Sequence, residues 1–151
     1  MNDDFLFFVD TNVIVYSRDI SDGAKHPPAV EWLAYLWGSR TGRISFQVLQ
    51  EFYVTVTRKL KPGLPPEIAR EDIRNLMAWK PLSPGKELFE NAWRIQDRYG
   101  FSWWDSLIVS AASDLKCRFL LSEDLQSGQR IDSLSIVNPF EFSPDEIHSI
   151  S

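Results

Sequence analysis

Four acidic residues lie where this sequence predicts the ends of buried strands or the starts of the helices that follow them: Asp10, Glu51, Asp105 and Asp124. Asp10 directly follows the apolar run Phe5–Val9, and Asp105 falls in the first turn of a predicted helix. In open parallel sheets, ligands bind outside the carboxyl ends of the strands. We therefore expect the four carboxylates to meet at one edge of a sheet.

Carboxylates gathered in one pocket repel each other, and some would stay protonated unless a cation compensated them. Mg²⁺ and Mn²⁺ are suitable cations because they prefer oxygen ligands. Two such ions would roughly neutralise four carboxylates, bind phosphate oxygens and polarise a water for in-line attack on phosphorus. The residue types alone thus point to divalent-metal chemistry on a phosphodiester.

The elements that must position these acids alternate along the chain. Four short apolar segments are predicted as strands, at residues 6–9, 43–46, 118–121 and 134–137. Helices are predicted between them: from Pro27 to Gly38 with Val30, Leu33, Ala34 and Trp37 on one face, over 47–60, after Pro65, after Pro84 and after Ser102. This alternation predicts a three-layer α/β/α sandwich around a mostly parallel sheet of about four or five strands.

Composition limits the class of protein. The chain has 151 residues, which suits one domain over 1–151, and a net charge of −5, which argues against nucleic-acid binding by basic charge alone. The single Cys117 excludes an internal disulfide. No apolar run reaches the roughly 18 residues of a membrane span, and the acidic start at Met1–Asp4 is unlike a secretory signal. We therefore expect a cytoplasmic protein that does not enter a membrane.

Four segments together resemble the motifs of the PIN-domain nucleases, and the VapC-type toxins of bacterial toxin–antitoxin pairs in particular. The resemblance covers about residues 5–140. It is carried in order by Phe8-Val9-Asp10-Thr11-Asn12-Val13, Leu49-Gln50-Glu51-Phe52, Trp104-Asp105-Ser106-Leu107-Ile108 and Leu120-Leu121-Ser122-Glu123-Asp124-Leu125. Each motif alone is weak, but four in family order form a fairly specific pattern.

The resemblance assigns roles by position. Asp10, Glu51, Asp105 and Asp124 match the metal-binding, catalytic acids of the family, and Thr11 and Asn12 match the polar residues beside the first acid. Ser122 stands where many members have Thr and keeps the hydroxyl. Glu123 is an alternative to Asp124, which we prefer because the family places its acid two residues after that hydroxyl.

The resemblance also implies an activity and partners. The family reaction is Mg²⁺- or Mn²⁺-dependent hydrolysis of single-stranded or exposed RNA, leaving a 5′-phosphate and a 3′-hydroxyl. A cognate antitoxin would cover the site, and members commonly form homodimers. The basic residues Arg58, Lys59 and Lys61 follow the helix of Glu51. They either contact the RNA backbone or stabilise the helix C-terminus.

Other readings of the same residues remain open. The same fold could be a catalytically degenerate binding module that acts through a protein or RNA partner. A haloacid-dehalogenase-like phosphatase would need a second Asp where Asn12 stands. A receiver-type domain would need a group of acidic residues just after the first strand, whereas Asp3 and Asp4 precede it. Trp103 and Trp104 could stack on bases, although a place in the core is expected for one of them.

Overall fold

Five strands form one sheet in the computed structural model, which describes residues 5–150. They are β1 (Phe7–Val9), β2 (Gly42–Arg43), β3 (Phe119–Leu121), β4 (Arg130–Ile131) and β5 (Leu134–Val137). Their order is β2-β1-β3-β5-β4, with β4 alone antiparallel to its neighbour. Because β1 and β3 are parallel neighbours, the residues that follow them emerge side by side at the same edge.

Helices connect β1 to β2 and β2 to β3, and one further helix follows β5. They are α1 (Thr11–Tyr16), α2 (His26–Ser39), α3 (Phe46–Val54), α4 (Pro66–Leu76), α5 (Lys86–Tyr99), α6 (Trp103–Asp114) and α7 (Pro144–Ile150). A wide helical turn over Thr55–Lys59 prolongs α3, and a 3₁₀ turn over Met77–Trp79 prolongs α4. Parallel strands need such crossover connections, since a tight hairpin can join only antiparallel ones.

Both faces of the sheet are covered. On one face, the ring of Phe7 packs against Trp32 and Tyr35 of α2, at centroid distances of 5.6 and 6.0 Å. Successive side chains of a strand point to opposite faces, so Phe8 and Leu120 lie on the other side, where both are fully buried. A sheet buried on both faces confirms the predicted three-layer α/β/α sandwich.

The second strand lies earlier in the chain than predicted. Residues 43–46 were expected to be extended, but β2 ends at Arg43 and α3 begins at Phe46. The local cause is Ser45, whose Oγ accepts a hydrogen bond from the backbone N–H of Val48 and caps the helix. The cap converts the end of the apolar run into the first turn of α3.

Two further elements differ from the prediction. The strand β4 was not expected, because two residues carry no period that a pattern can reveal. The helix predicted over 47–60 is α-helical only to Val54 and then passes into the wide turn that ends at Lys59. The amphipathic pattern therefore indicated the right helical extent and could not show the change of winding.

The predicted apolar face of α2 is not its core face. The buried residues of this helix are Ala29, Trp32 and Leu36, whereas Val30 and Trp37 are 44% and 40% exposed. The face that the sequence predicted to be buried lines an open groove of about 700 Å³ between α1, α2 and α4. The helix is apolar on two sides, and only the tertiary structure separates them.

None of the helices described in residues 5–150 is both long and apolar enough to cross a membrane. The acidic start of the chain, Met1–Asp4, lies outside the described residues, as does Ser151.

Candidate functional site

Asp10 and Ser122 meet at the edge of the sheet. Val9 of β1 pairs with Leu121 of β3, so the residue after each strand emerges beside the other. Ser122 Oγ donates a hydrogen bond of 2.8 Å to Asp10 Oδ2, and Asp10 Oδ1 accepts one of 2.8 Å from the backbone N–H of Thr11. Asp10 thereby caps α1, and both of its carboxylate oxygens are held in place.

Helix α3 brings Glu51 to the same edge. The Thr11 hydroxyl donates a 2.5 Å hydrogen bond to Glu51 Oε1, across forty positions of sequence. Gln47 Nε2 donates a 3.2 Å hydrogen bond to Glu51 Oε2. Gln47 was not among the predicted site residues, although its spacing of four from Glu51 places both on one face of the helix.

Asp124 joins the site through the loop after β3. Asn12 Nδ2 donates a 3.1 Å hydrogen bond to Asp124 Oδ2, and the backbone N–H of Asp124 donates one of 3.2 Å to Ser122 Oγ. The polar residues Thr11, Asn12 and Ser122 therefore each bind one of the acids. This network connects Asp10, Glu51 and Asp124 as one unit.

Glu123 has a different environment from Asp124. Its carboxylate accepts a 2.5 Å hydrogen bond from Lys25 Nζ, which also lies 5.0 Å from the centre of the Tyr16 ring. This ion pair attaches the loop after β3 to the start of α2. The Glu123 carboxylate is thus paired with a lysine, whereas the Asp124 carboxylate accepts from Asn12.

Asp105 lies in the first turn of α6. Its backbone N–H donates a 3.1 Å hydrogen bond to Ser102 Oγ, which caps the helix as the sequence predicted. Partial burial raises the pKa of its carboxyl above the usual value, and the negative charges of Asp124 and Glu51 raise it further. Asp105 thus shares the electrostatic field of the other acids.

The pKa of Asp10 is raised most clearly. Burial of the carboxyl is the main cause and brings the pKa to about 6, with smaller contributions from the negative charges of Asp124 and Glu51. The hydrogen bonds from Ser122 and from the backbone N–H of Thr11 act in the opposite direction. The site therefore holds its central acid close to the point where it changes charge near neutral pH.

The donor set fits a hard divalent cation. Its side chains offer oxygen atoms, and the buried Asn12 Oδ1 has no hydrogen-bond partner. A buried carbonyl oxygen without a partner is costly, and a cation would satisfy it. Among the side chains described, no three Asp, Glu, His or Cys residues converge closely enough to chelate one ion by themselves. The hydrogen bonds that connect Asp10, Glu51 and Asp124 run through Thr11, Asn12 and Ser122.

The other predicted contacts lie outside the network. Arg58 and Lys59 are exposed in the turn that ends the α3 extension, and Lys61 is exposed just after it. Within the described residues, no ion pair joins them to the acids. Trp103 packs against Phe89 and Trp93, while Trp104 is 63% exposed. One indole of the pair is thus packed and the other faces solvent.

The sequence profile of the PIN domain family matches residues 7–131. This match spans the four acids and confirms the family predicted from the motifs. No curated protein was found to match the chain by sequence.

Solved structures of toxin–antitoxin proteins share the fold. A toxin–antitoxin complex from Klebsiella pneumoniae superposes with a TM-score of 0.62 at 15% identity, covering 87% of this chain and 96% of that one. VapC20 of Mycobacterium tuberculosis, described as a sarcin–ricin loop cleaving toxin, gives 0.60 at 22% identity, covering 78% and 91%. VapBC2 of Rickettsia felis, bound to a promoter DNA fragment, gives 0.59 at 18% identity, covering 88% and 98%. The chain belongs to the PIN domain family and has the fold of VapC-type proteins.

Proposed function

We propose that this protein is a Mg²⁺- or Mn²⁺-dependent endoribonuclease and the toxin of a toxin–antitoxin pair. The observation that carries the proposal is the hydrogen-bonded network at the edge of the sheet, which connects Asp10, Glu51 and Asp124 through Thr11, Asn12 and Ser122. A network that holds acids together against their mutual repulsion suits a site for cations and an anionic substrate.

The acids of the network would hold the divalent ions, with Asp105 contributing from α6. When bound, the ions supply positive charge to the phosphodiester and lower the pKa of a water molecule. Ser122 and the backbone N–H of Thr11 fix the Asp10 carboxylate, and Thr11 fixes Glu51. These hydrogen bonds orient the acids before substrate arrives, as the outer shell of a metal site does.

The proposed substrate is single-stranded or exposed RNA in the cytoplasm. Hydrolysis adds water across the P–O3′ bond and leaves a 5′-phosphate and a 3′-hydroxyl. Support comes from the family match and from the shared fold with VapC20, which is described as a toxin that cleaves the sarcin–ricin loop. The exposed Arg58, Lys59 and Lys61 would contact the RNA backbone away from the acids.

A cognate antitoxin is the proposed protein partner. The groove between α1, α2 and α4 suits it, because exposed Val30 and Trp37 line an apolar cleft beside the helix that Asp10 caps. The Arg18–Asp72 ion pair, at 2.6 Å, lies in the same groove. The protein in the Rickettsia structure is a VapBC complex, which supports a partner of this kind. We also propose a homodimer, which the family resemblance implies.

The test of the activity is cleavage of a labelled single-stranded RNA by the purified chain and by Asp10→Asn. We expect Mn²⁺-stimulated cleavage by the wild type and loss by the variant, because an amide cannot supply the negative charge that holds a cation. Asp97→Asn, an exposed position on α5, is the matched control and should cleave normally. Equal cleavage by Asp10→Asn and wild type would refute the assignment.

A catalytically degenerate binding module is the second candidate. The observation in its favour is that no three described acids converge on a single point. Calorimetry separates the two candidates, since a nuclease of this kind releases or absorbs heat on Mn²⁺ addition and Asp10→Asn reduces that heat. A module with an abandoned site shows no Mn²⁺ heat in either protein.

A further inference from the structure

A small cavity lies beside the acidic network, between α3 and the start of α6. Its volume is about 200 Å³. We propose that it binds an unpaired nucleobase of the RNA substrate, with Trp104 as the stacking surface. This inference rests on the proposed function, because it assigns the substrate class of the same site.

Trp104 forms the exposed wall of the cavity. It is 63% exposed although it directly precedes Asp105, and Leu107 and Ala111 continue the wall along α6. Most of this indole stays in contact with water, so covering its face with an apolar surface would be favourable. A base stacked on its face would bury it, and such stacking tolerates any sequence because every base has a π-face.

The floor of the cavity is apolar. It is formed by the side chains of the loop before α5 and of the first turn of that helix: Leu82, Pro84, Leu88 and Phe89. The lining described by the structure contains no charged residue. A phosphate or a charged side chain would lose its hydration here without a partner, whereas a flat neutral ring would not.

Helix α3 supplies the hydrogen-bonding wall. Gln47 and Gln50 line the cavity, and Gln47 already donates to Glu51 through Nε2. Its amide oxygen and the exposed Gln50 amide are therefore available as acceptor and donor for the edge of a base. The same Gln47 connects the cavity to the acids, so a base held here belongs to a nucleotide next to the scissile phosphodiester.

The cavity suits a base better than a protein partner. Its volume is less than a third of that of the groove between α1, α2 and α4, which we assign to the antitoxin. Recognition of single-stranded RNA commonly combines an aromatic surface with amide groups near a base edge. Both are present within one helical turn of Asp105 and Glu51.

The experiment measures RNA binding instead of cleavage. In the Asp10→Asn background, the affinity for a fluorescein-labelled ten-nucleotide single-stranded RNA is measured by anisotropy with Trp104 intact, with Trp104→Ala and with Trp104→Phe. We expect Ala to weaken binding about 5- to 150-fold and Phe to restore most of it. Trp37→Ala, which removes a 40% exposed indole from the separate groove between α1, α2 and α4, is the control and should bind as the parent.

A scan with single abasic nucleotides identifies the contact. When the abasic position is the one that contacts Trp104, the parent should bind that RNA as weakly as Trp104→Ala binds the intact RNA. Trp104→Ala should bind this abasic RNA only slightly more weakly still, because the contact is already lost. The proposal is overturned if Trp104→Ala binds normally, if its loss is the same for every abasic RNA, or if the variant changes oligomeric state in gel filtration, which would make the surface a protein interface.

The two proposals fail separately. If the wild type does not cleave RNA but the Trp104 and abasic effects coincide, the base subsite stands and the nuclease proposal falls. If cleavage depends on Asp10 but Trp104→Ala binds and cleaves normally, the nuclease proposal stands and the subsite falls.

Discussion

At Asp10 the fold holds a carboxyl group where burial and two neighbouring acids all oppose ionisation. Its pKa is raised to about 6, while two hydrogen bonds partly compensate. The folded chain therefore binds a proton between about pH 4 and pH 6 that the unfolded chain has already released. The stability that this proton contributes to the fold is fully present below the pKa of Asp10 in the unfolded chain. It is lost as the pH rises through the pKa of Asp10 in the folded chain.

We expect Asp10→Asn to stabilise the metal-free protein above pH 6, by up to about 3 kcal/mol, because the amide removes a buried charge. An Asn side chain can still accept from the N–H of Thr11 and donate to Ser122. The measurement is urea unfolding in EDTA at several pH values. The difference in free energy of unfolding between the variant and the wild type should increase between about pH 4 and pH 6. A difference that stays constant over this range would contradict the raised pKa of Asp10.

Glu123 and Asp124 are adjacent acids with different partners. We expect Glu123→Gln to change Mn²⁺-dependent cleavage by less than about 3-fold, because it removes only a partly exposed ion pair with Lys25. Asp124→Asn should reduce cleavage by more than about 100-fold, because it removes a proposed cation ligand. Rates measured for both variants on one RNA decide the assignment, and the reverse order would transfer the role to Glu123.

At the scale of the elements, β2 shows why a short strand escapes prediction from its pattern. It consists of two residues, and Gly42 is there because Trp79 packs directly over it: an added Cβ would lie 2.7 Å from the indole ring. Trp79 follows α4 by only a few residues, so this contact connects that helix to the edge of the sheet. Nothing in the local sequence signals a partner 37 positions away.

Two glycine substitutions should have opposite effects. We expect Gly42→Ala to lower the free energy of unfolding by about 1–3 kcal/mol, since the buried Trp79 must shift. Gly38→Ala, at a helical position of α2 with open space around it, should raise it by about 0.5–1 kcal/mol. Chemical unfolding measures both, and a neutral Gly42→Ala would show that the contact is loose.

Helix α2 shows a second reason why a hydrophobic pattern does not determine tertiary packing. Its apolar residues cover most of its circumference, so the face that meets the sheet and the face that lines the groove look alike in sequence. Trp32 is placed in the core by its contacts, and its Nε1 donates to the carbonyl oxygens of Pro139 and Phe142. Trp37, five residues later, lines the groove. The spacing of apolar residues shows that a helix has an apolar face, but it does not show which part of the protein that face packs against.

At the scale of the whole molecule, the acidic network and the net charge of −5 have one electrostatic consequence. A protein with this charge repels the backbone of the proposed RNA substrate unless cations bind at the carboxylate edge. Cations bound at the proposed site should also stabilise the fold, because they would offset the repulsion between the buried Asp10 and its neighbouring acids and bind only the folded arrangement.

We expect Mn²⁺ at about 100 times its dissociation constant to raise the unfolding temperature by about 5–10 °C, and EDTA to reverse the rise. Asp10→Asn should lose most of this shift, while Asp97→Asn should keep it. Differential scanning calorimetry of the three proteins provides the comparison. If Mn²⁺ does not change the unfolding temperature of the wild type, the result would argue against a cation site at this edge of the sheet.

Much of the fold and of the candidate site was predictable because it is local. Apolar runs marked β1, β3 and β5, prolines and caps marked the helix starts, and the acids follow these elements in an order typical of the family. What only the tertiary structure decided is which groups meet: that Thr11 binds Glu51, that Asn12 binds Asp124, that Glu123 is paired with Lys25, and that Trp104 is exposed. These contacts join residues up to 112 positions apart, so they depend on strand order and helix packing, which a local pattern does not encode.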